Sequence, residues 1–255
     1  LTPCENYGFT PLHFACDDAD TDKIKDLVRA CPEALRRESF MGFTPLDLIL
    51  RRIGSDLGDD RAMARLVGVL LTKYPGDTLR LKAGYTNCSF EAQTSRALAS
   101  SSTIALMDLS RVQLDSRGLV AFFHTIATAN KVLKDLTINF FEDVNILTCS
   151  ALEKMIATNT TLTHLTLRVR LFDPNTALLV QTAIDRALPK NRTLRDLHLE
   201  IVPQYKLYLL MGKSTDEALH EIDRGIIDMR IALNLSGTTA RGGVHPKTTK
   251  RDFVR

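Results

Sequence analysis

The sequence predicts an α/β solenoid with an all-α part, helix pairs at the N-terminal end and a curved parallel sheet beyond them. Three observations carry that expectation. The spacing Asn-x-x-Leu-x-x-Leu-x-Leu occurs at Asn159, Leu162, Leu165 and Leu167, at Asn130, Leu133, Leu136 and Ile138, and at Asn191, Leu194, Leu197 and Leu199. Looser copies lie at Ser101, Ile104, Met107 and Leu109, at Ile226, Met229 and Ile231, and in the pair Leu79 and Leu81. The central positions of the closing triplets (Arg80, Asp108, Thr137, Thr166, His198, Arg230) are separated by steps of 28, 29, 29, 32 and 32 residues, the mark of a repeat architecture. Finally, the turn Gly8-Phe9-Thr10-Pro11-Leu12 returns 34 residues later as Gly42-Phe43-Thr44-Pro45-Leu46.

In chain order, Thr10 is placed to cap a helix, Pro11 suits its first position, and Leu12 and Ala15 give it an apolar inner face. A second helix follows with Ile24, Leu27 and Val28 on one side. The run Tyr7-Gly8-Phe9-Thr10-Pro11-Leu12-His13-Phe14-Ala15 resembles the ankyrin repeat, as does Gly42-Phe43-Thr44-Pro45-Leu46-Asp47-Leu48. In the second copy Asp47 stands where His13 stands in the first. The resemblance implies that this His ties turn to helix, so the substitution puts that tie in question. The second copy continues as an inner helix to Ile53, a polar loop insertion at 54–60 and an outer helix over Arg61 to Lys73 with Met63, Leu66, Val67, Leu70 and Leu71 on one side. The helix-pair domain is therefore set at residues 1–75.

Beyond it, each apolar-x-apolar triplet suits a short strand with one buried face. Helices are expected between the strands, over Phe90 to Leu98, Ser116 to Asn130, Thr148 to Asn159 and Asn175 to Asn191, each of the last three closing at an Asn that tolerates the left-handed conformation. A strand joined through a helix to a parallel strand is a crossover unit, and such units stack into a curved solenoid. This arrangement resembles the leucine-rich repeat family, in its long-period, ribonuclease-inhibitor-like class, across residues 76–240 in five or six strands. Residues 74–90 also echo the ankyrin start, through Gly84-Tyr85-Thr86, but no Pro-Leu-His follows, so Leu79-Arg80-Leu81 is assigned as the first strand. Val202 to Gly212 is expected as an insertion, Ser214 to Ile222 as a capped helix, and Ile226 to Leu235 as the last strand.

The composition, 44% apolar and 25% charged, is that of a water-soluble globular chain. No apolar run is long enough for a membrane helix, and no signal-peptide pattern is visible. Five cysteines, odd in number and without a C-x-x-C, argue against a disulfide framework or zinc site and for a reducing compartment, hence a cytoplasmic or nuclear location. The net charge of +3 is concentrated in a basic tail or cap at 241–255, which holds +4 and leaves −1 for the rest. That distribution makes nucleic acid an unexpected partner.

No motif for catalysis, phosphate binding or metal ligation is present, so no enzyme activity, cofactor or metal is expected. The solenoid reading gives candidate surfaces instead. On the strands, three columns are expected to face one side: Thr78, Leu106, Asp135, His164, Asp196, Asp228; then Arg80, Asp108, Thr137, Thr166, His198, Arg230; then Lys82, Ser110, Asn139, Arg168, Glu200, Ala232. Asp135, His164 and Asp196 read as a charge-compensated row rather than a metal site. At the turns, Tyr7, Phe9, Phe40 and Phe43 are candidate contacts. Both resemblances imply a monomeric, non-catalytic scaffold binding protein partners on its concave surfaces. The leucine-rich family also implies an alternative, regulation of a small GTPase through an exposed Arg such as Arg111 or Arg170. A contact of the basic tail with nucleic acid or membrane is the remaining alternative.

Overall fold

The computed structural model describes residues 7–52, 60–82, 92–112, 114–140, 144–171, 174–203 and 227–232. Of the loop expected at 54–60 only Asp60 is described, and it opens a helix instead; of the insertion expected at 202–212 only Val202 and Pro203 are, and they continue a strand. The stretch 84–90, the helix over 214–222 and the tail at 241–255 lie outside the described residues. Eight helices and six strands are described, an α/β mix.

The first part is helical: α1 (Pro11–Asp17), α2 (Thr21–Ala30), a 3₁₀ turn (Pro32–Arg36), α3 (Pro45–Arg52) and α4 (Asp60–Thr72). Helix α1 begins where expected because Pro11 has no N–H to leave unpaired in the first turn and Thr10 closes a reciprocal box with His13. Helix α2 is capped by Asp20, whose carboxylate accepts the Lys23 N–H at 3.1 Å, and it buries Ile24 and Val28.

The second part alternates strand and helix: β1 (Thr78–Arg80), α5 (Ala92–Ala99), β2 (Leu106–Leu109), α6 (Ser116–Thr128), β3 (Asp135–Phe140), α7 (Ile146–Thr158), β4 (His164–Leu171), α8 (Pro174–Ala187), β5 (Asp196–Pro203) and β6 (Ile227–Ala232). Strands pair in chain order, and β1 to β5 are parallel. Helices α4 to α8 pack each against the next. Strand leucines supply the shared core: Leu79, Met107, Leu109, Leu136, Ile138, Leu165, Leu167, Leu197 and Leu199 are buried together with Phe122, Leu152 and Ile184 of the helices. Apolar burial of this extent is the main term holding the layers together.

The two parts share one core, which runs from Leu12 through Leu46 and Leu70 to the sheet. Their junction is polar as well. Asp47 is fully buried, and one carboxylate oxygen accepts Thr44 N–H and Oγ–H, each at 2.8 Å. The other accepts the Lys82 N–H at 2.6 Å, just past β1. The Lys82 ammonium pairs with Glu38 at 2.9 Å, and Arg36 donates to the Pro75 carbonyl at 3.3 Å. The tie that the Asp47 substitution put in question is therefore made by Asp47 itself. Burial pushes its carboxyl above the ordinary value, against the hydrogen bonds from Thr44 and Lys82 that favour the anion.

Two expectations are corrected. Asn159 and Asn191 are not left-handed: they sit in extended backbone, at φ −69° and −83°. Among the described residues Ala19 is the one non-glycine with positive φ. The asparagines are there for their side chains. Asn159 Oδ1 accepts the N–H groups of Thr161 at 2.9 Å and Leu162 at 2.7 Å, while its Nδ2 donates to the Ile126 carbonyl of the preceding unit at 2.9 Å. Asn130 does the same for Val132 and Leu133, with Ala99 O as its acceptor at 2.8 Å, and Asn191 for Thr193 and Leu194, donating to Ile156 O. Each amide closes its own turn and bolts it to its neighbour. The second correction is β6, which runs antiparallel to β5.

Candidate partner-binding surfaces

Across β1 to β5 the register sets Thr78, Leu106, Asp135, His164 and Asp196 in one row, and Arg80, Asp108, Thr137, Thr166 and His198 in the next. Asn139, Arg168 and Glu200 begin a third row on β3 to β5. These rows are as the spacing predicts. Reversal of β6 changes its place in them: Asp228 lies opposite Glu200, not Asp196, and Ala232 opposite Asp196, while Arg230 still meets His198. For Glu200, Asp228 and Arg230 only the backbone position is described.

Alternation puts these residues on the face opposite the buried leucines. His164 and Arg168 are exposed, and Asp108, Asp135, Thr137, Thr166, Asp196 and His198 are half-buried. His164 Nδ1 lies 2.9 Å from Thr163 Oγ1. Burial raises the Asp135 carboxyl above its ordinary value; the positive field of His164 opposes this, and the Asp108 and Asp196 carboxylates add to it. Asp108 accepts the Ser110 N–H at 2.9 Å. Asn139 differs from the rest of its row, being buried, with Nδ2 donated to the Ser110 carbonyl and Oδ1 left without a partner. Among the described residues no group of three or more His, Cys, Asp or Glu side chains is arranged to hold a metal ion.

The turn aromatics divide into two sets. Phe9 and Phe43 are half-buried against the core. The Phe9 ring stacks on His13 at 5.3 Å, and Arg51 sits 4.5 Å over the Phe43 ring. Tyr7 and Phe40 point outward, 58% and 75% exposed, together with Phe14 at 44% and Met41 at 68%. Phe14 and Met41 were not among the sequence candidates. Phe14 lies on α1 between the buried His13 and Ala15 and faces outward.

His13 shows how the turns are held. Its Nδ1 accepts the Thr10 N–H at 3.0 Å, so the ring is neutral with its proton on Nε2, which donates to the Phe43 carbonyl at 3.0 Å. Burial depresses its pKa, opposed by the Phe43 carbonyl, the Asp47 charge and the Arg37 carbonyl. Among the described residues no helix is long and apolar enough to cross a membrane. Compared with known proteins, the chain matches no family model, and no curated protein matches it.

Proposed function

We propose that this chain is a non-catalytic protein–protein interaction scaffold of the cytoplasm or nucleus, a solenoid of ankyrin-like helix pairs running into leucine-rich-repeat-like units. The observation that carries the reading is the open face of the parallel sheet, where an unbroken polar row from Arg80 to His198 stands in register beside a row from Thr78 to Asp196 that is polar except at Leu106. A folded sheet face with helices on its other side and ionisable groups on this one is a rigid, charge-patterned platform, and rigidity lowers the entropy cost of recognition. The repeating Asn ties and the His13 and Asp47 ties support the same reading, since each joins neighbouring units.

The test is affinity capture from cell extract with the whole chain as bait, read by quantitative mass spectrometry, against the double variant Arg168→Glu, His198→Glu. Specific partners should drop at least about tenfold with the variant, the effect of reversed charge at a contact. An unchanged partner list would remove the sheet as the binding surface.

A further inference from the structure

Four large apolar side chains, Tyr7, Phe14, Phe40 and Met41, lie exposed on the N-terminal turns and on α1. Phe40 covers Gly8 so closely that a Cβ there would meet the ring at 2.8 Å, and the Phe40 N–H donates to the Tyr7 carbonyl at 3.0 Å. Tyr7 lies 6.0 Å from Phe9, and Phe9 lies edge-on to Phe14 at 5.4 Å. Met41, 68% exposed, follows Phe40 in the chain. The strip is held still: Ser39 N–H donates to Phe43 O at 2.8 Å, Ser39 Oγ accepts Phe43 N–H at 3.2 Å, and Thr10 and His13 lock the start of α1. Exposed aromatic area on a hydrogen-bonded frame is the composition of an interface anchor, not of a solvated turn.

The charge at the strip's end selects the occupant. Asp17 and Asp18 follow Phe14 by three and four residues, so they share its helix face. Lys23 pairs with Asp20, Lys25 with Asp22, and Lys82 with Glu38, which leaves Asp17 and Asp18 without an ion pair among the described residues. Ring faces attract cations as carboxylates do, so the two halves of the strip ask for one kind of ligand. We infer that the turn strip of Tyr7, Phe14, Phe40 and Met41 is a docking site for a cationic segment of a partner protein, with an aromatic or aliphatic anchor on Phe40 and Tyr7 and Lys or Arg side chains beside Asp17 and Asp18. The inference rests on the scaffold reading but uses a surface separate from the sheet.

The experiment is fluorescence anisotropy of the whole chain with a fluorescein-labelled synthetic peptide, Gly-Ser-Leu-Phe-Gly-Lys-Arg-Lys-Gly-Ser. Two controls accompany it, one with Glu for each Lys and Arg, the other with Ser for Leu and Phe. Binding should weaken by about tenfold or more with Phe40→Ser, with Asp17→Lys plus Asp18→Lys, and with either control peptide, and it should fall with added salt. The Arg168→Glu, His198→Glu variant should bind as wild type does, which separates this site from the sheet. Phe40, Asp17, Asp18 and Arg168 are exposed and His198 is half-buried, so unchanged thermal unfolding of each variant verifies the fold. Equal binding of the charge-reversed peptide would overturn the proposal, as would no binding up to about 1 mM probe, the limit of a weak specific contact. So would Phe40-dependent self-association in sedimentation velocity, or Phe40-dependent capture by phosphatidylcholine vesicles in place of the peptide.

Discussion

The Asn159 side chain offers the sharpest test of how the repeating units are joined. Replacing it with Ala removes four hydrogen bonds at once, three accepted from Thr161 N–H, Thr161 Oγ–H and Leu162 N–H and one donated to Ile126. Thr161 is half-buried and can recover a bond to water. Leu162 is buried beside the ladder, and the Ile126 carbonyl lies at the buried end of the previous helix. Each stranded buried group costs about 1–3 kcal/mol, so the two together predict a loss of roughly 2–6 kcal/mol. That is a large part of the ~5–15 kcal/mol by which folded domains are stable. Urea unfolding followed by circular dichroism reads the loss directly, and hydrogen exchange at Leu162 should rise with it. The Asn159→Asp variant divides the effect. Its carboxylate keeps the accepted bonds but turns an oxygen toward Ile126 O, so it should be destabilised at neutral pH and recover part of the loss in acid, where the protonated group can donate. A loss below about 1 kcal/mol for Asn159→Ala would show that water fills the place, and the side-chain tie would not be what joins the units.

The same bookkeeping gives four further expectations. Gly68 lies within α4 with nothing within 4 Å of an added Cβ, so Gly68→Ala should stabilise by about 0.5–1 kcal/mol in thermal or urea unfolding. Gly8→Ala should destabilise by about 1–3 kcal/mol, because φ is +67° and the new Cβ would strike Phe40 at 2.8 Å. For His13 the folded pKa is depressed, so its contribution is complete above the ordinary histidine value of about 6.5 and is lost as pH falls through the folded value. The difference in urea midpoint between wild type and His13→Gln should therefore shrink on acidification from pH 7; a constant difference would contradict a neutral, acceptor Nδ1. Asp47→His should cost about 1–3 kcal/mol in urea unfolding, because an imidazole N–H directed at the Lys82 N–H would set donor against donor.

Much of the fold was legible because apolar-x-apolar triplets at a near-constant period leave one way to bury every leucine in a single layer. That is why the rows through Asp135, His164 and Asp196 stand in the expected register. Strand direction was not legible for β6. Ile-x-Met-x-Ile alternates identically read either way, and the copy at Ile226, Met229 and Ile231 lacks the leading Asn that begins the parallel strands β3, β4 and β5. Arg230 meets His198 in both orientations only because it is the pivot; the residues on either side exchange places. Phe14 was missed in the surface because one outward side chain on a seven-residue helix makes no period to read.

The Asp47 substitution becomes intelligible once both of its neighbours are seen. In the first turn motif, His13 reaches the backbone of the next motif at a carbonyl, Phe43 O, and so must donate. The second motif is followed by a strand, and the group presented to it is an amide, Lys82 N–H, so the residue in the same place must accept. Thr10 and Thr44 are each engaged by that residue, through Nδ1 in one case and Oδ2 in the other. The change from His to Asp thus reverses the polarity of the outward bond while the inward one is retained. It falls where the chain passes from helix pairs to sheet, and the reversal is the chemistry that lets a turn-and-helix unit be sealed against a strand without a buried donor left over.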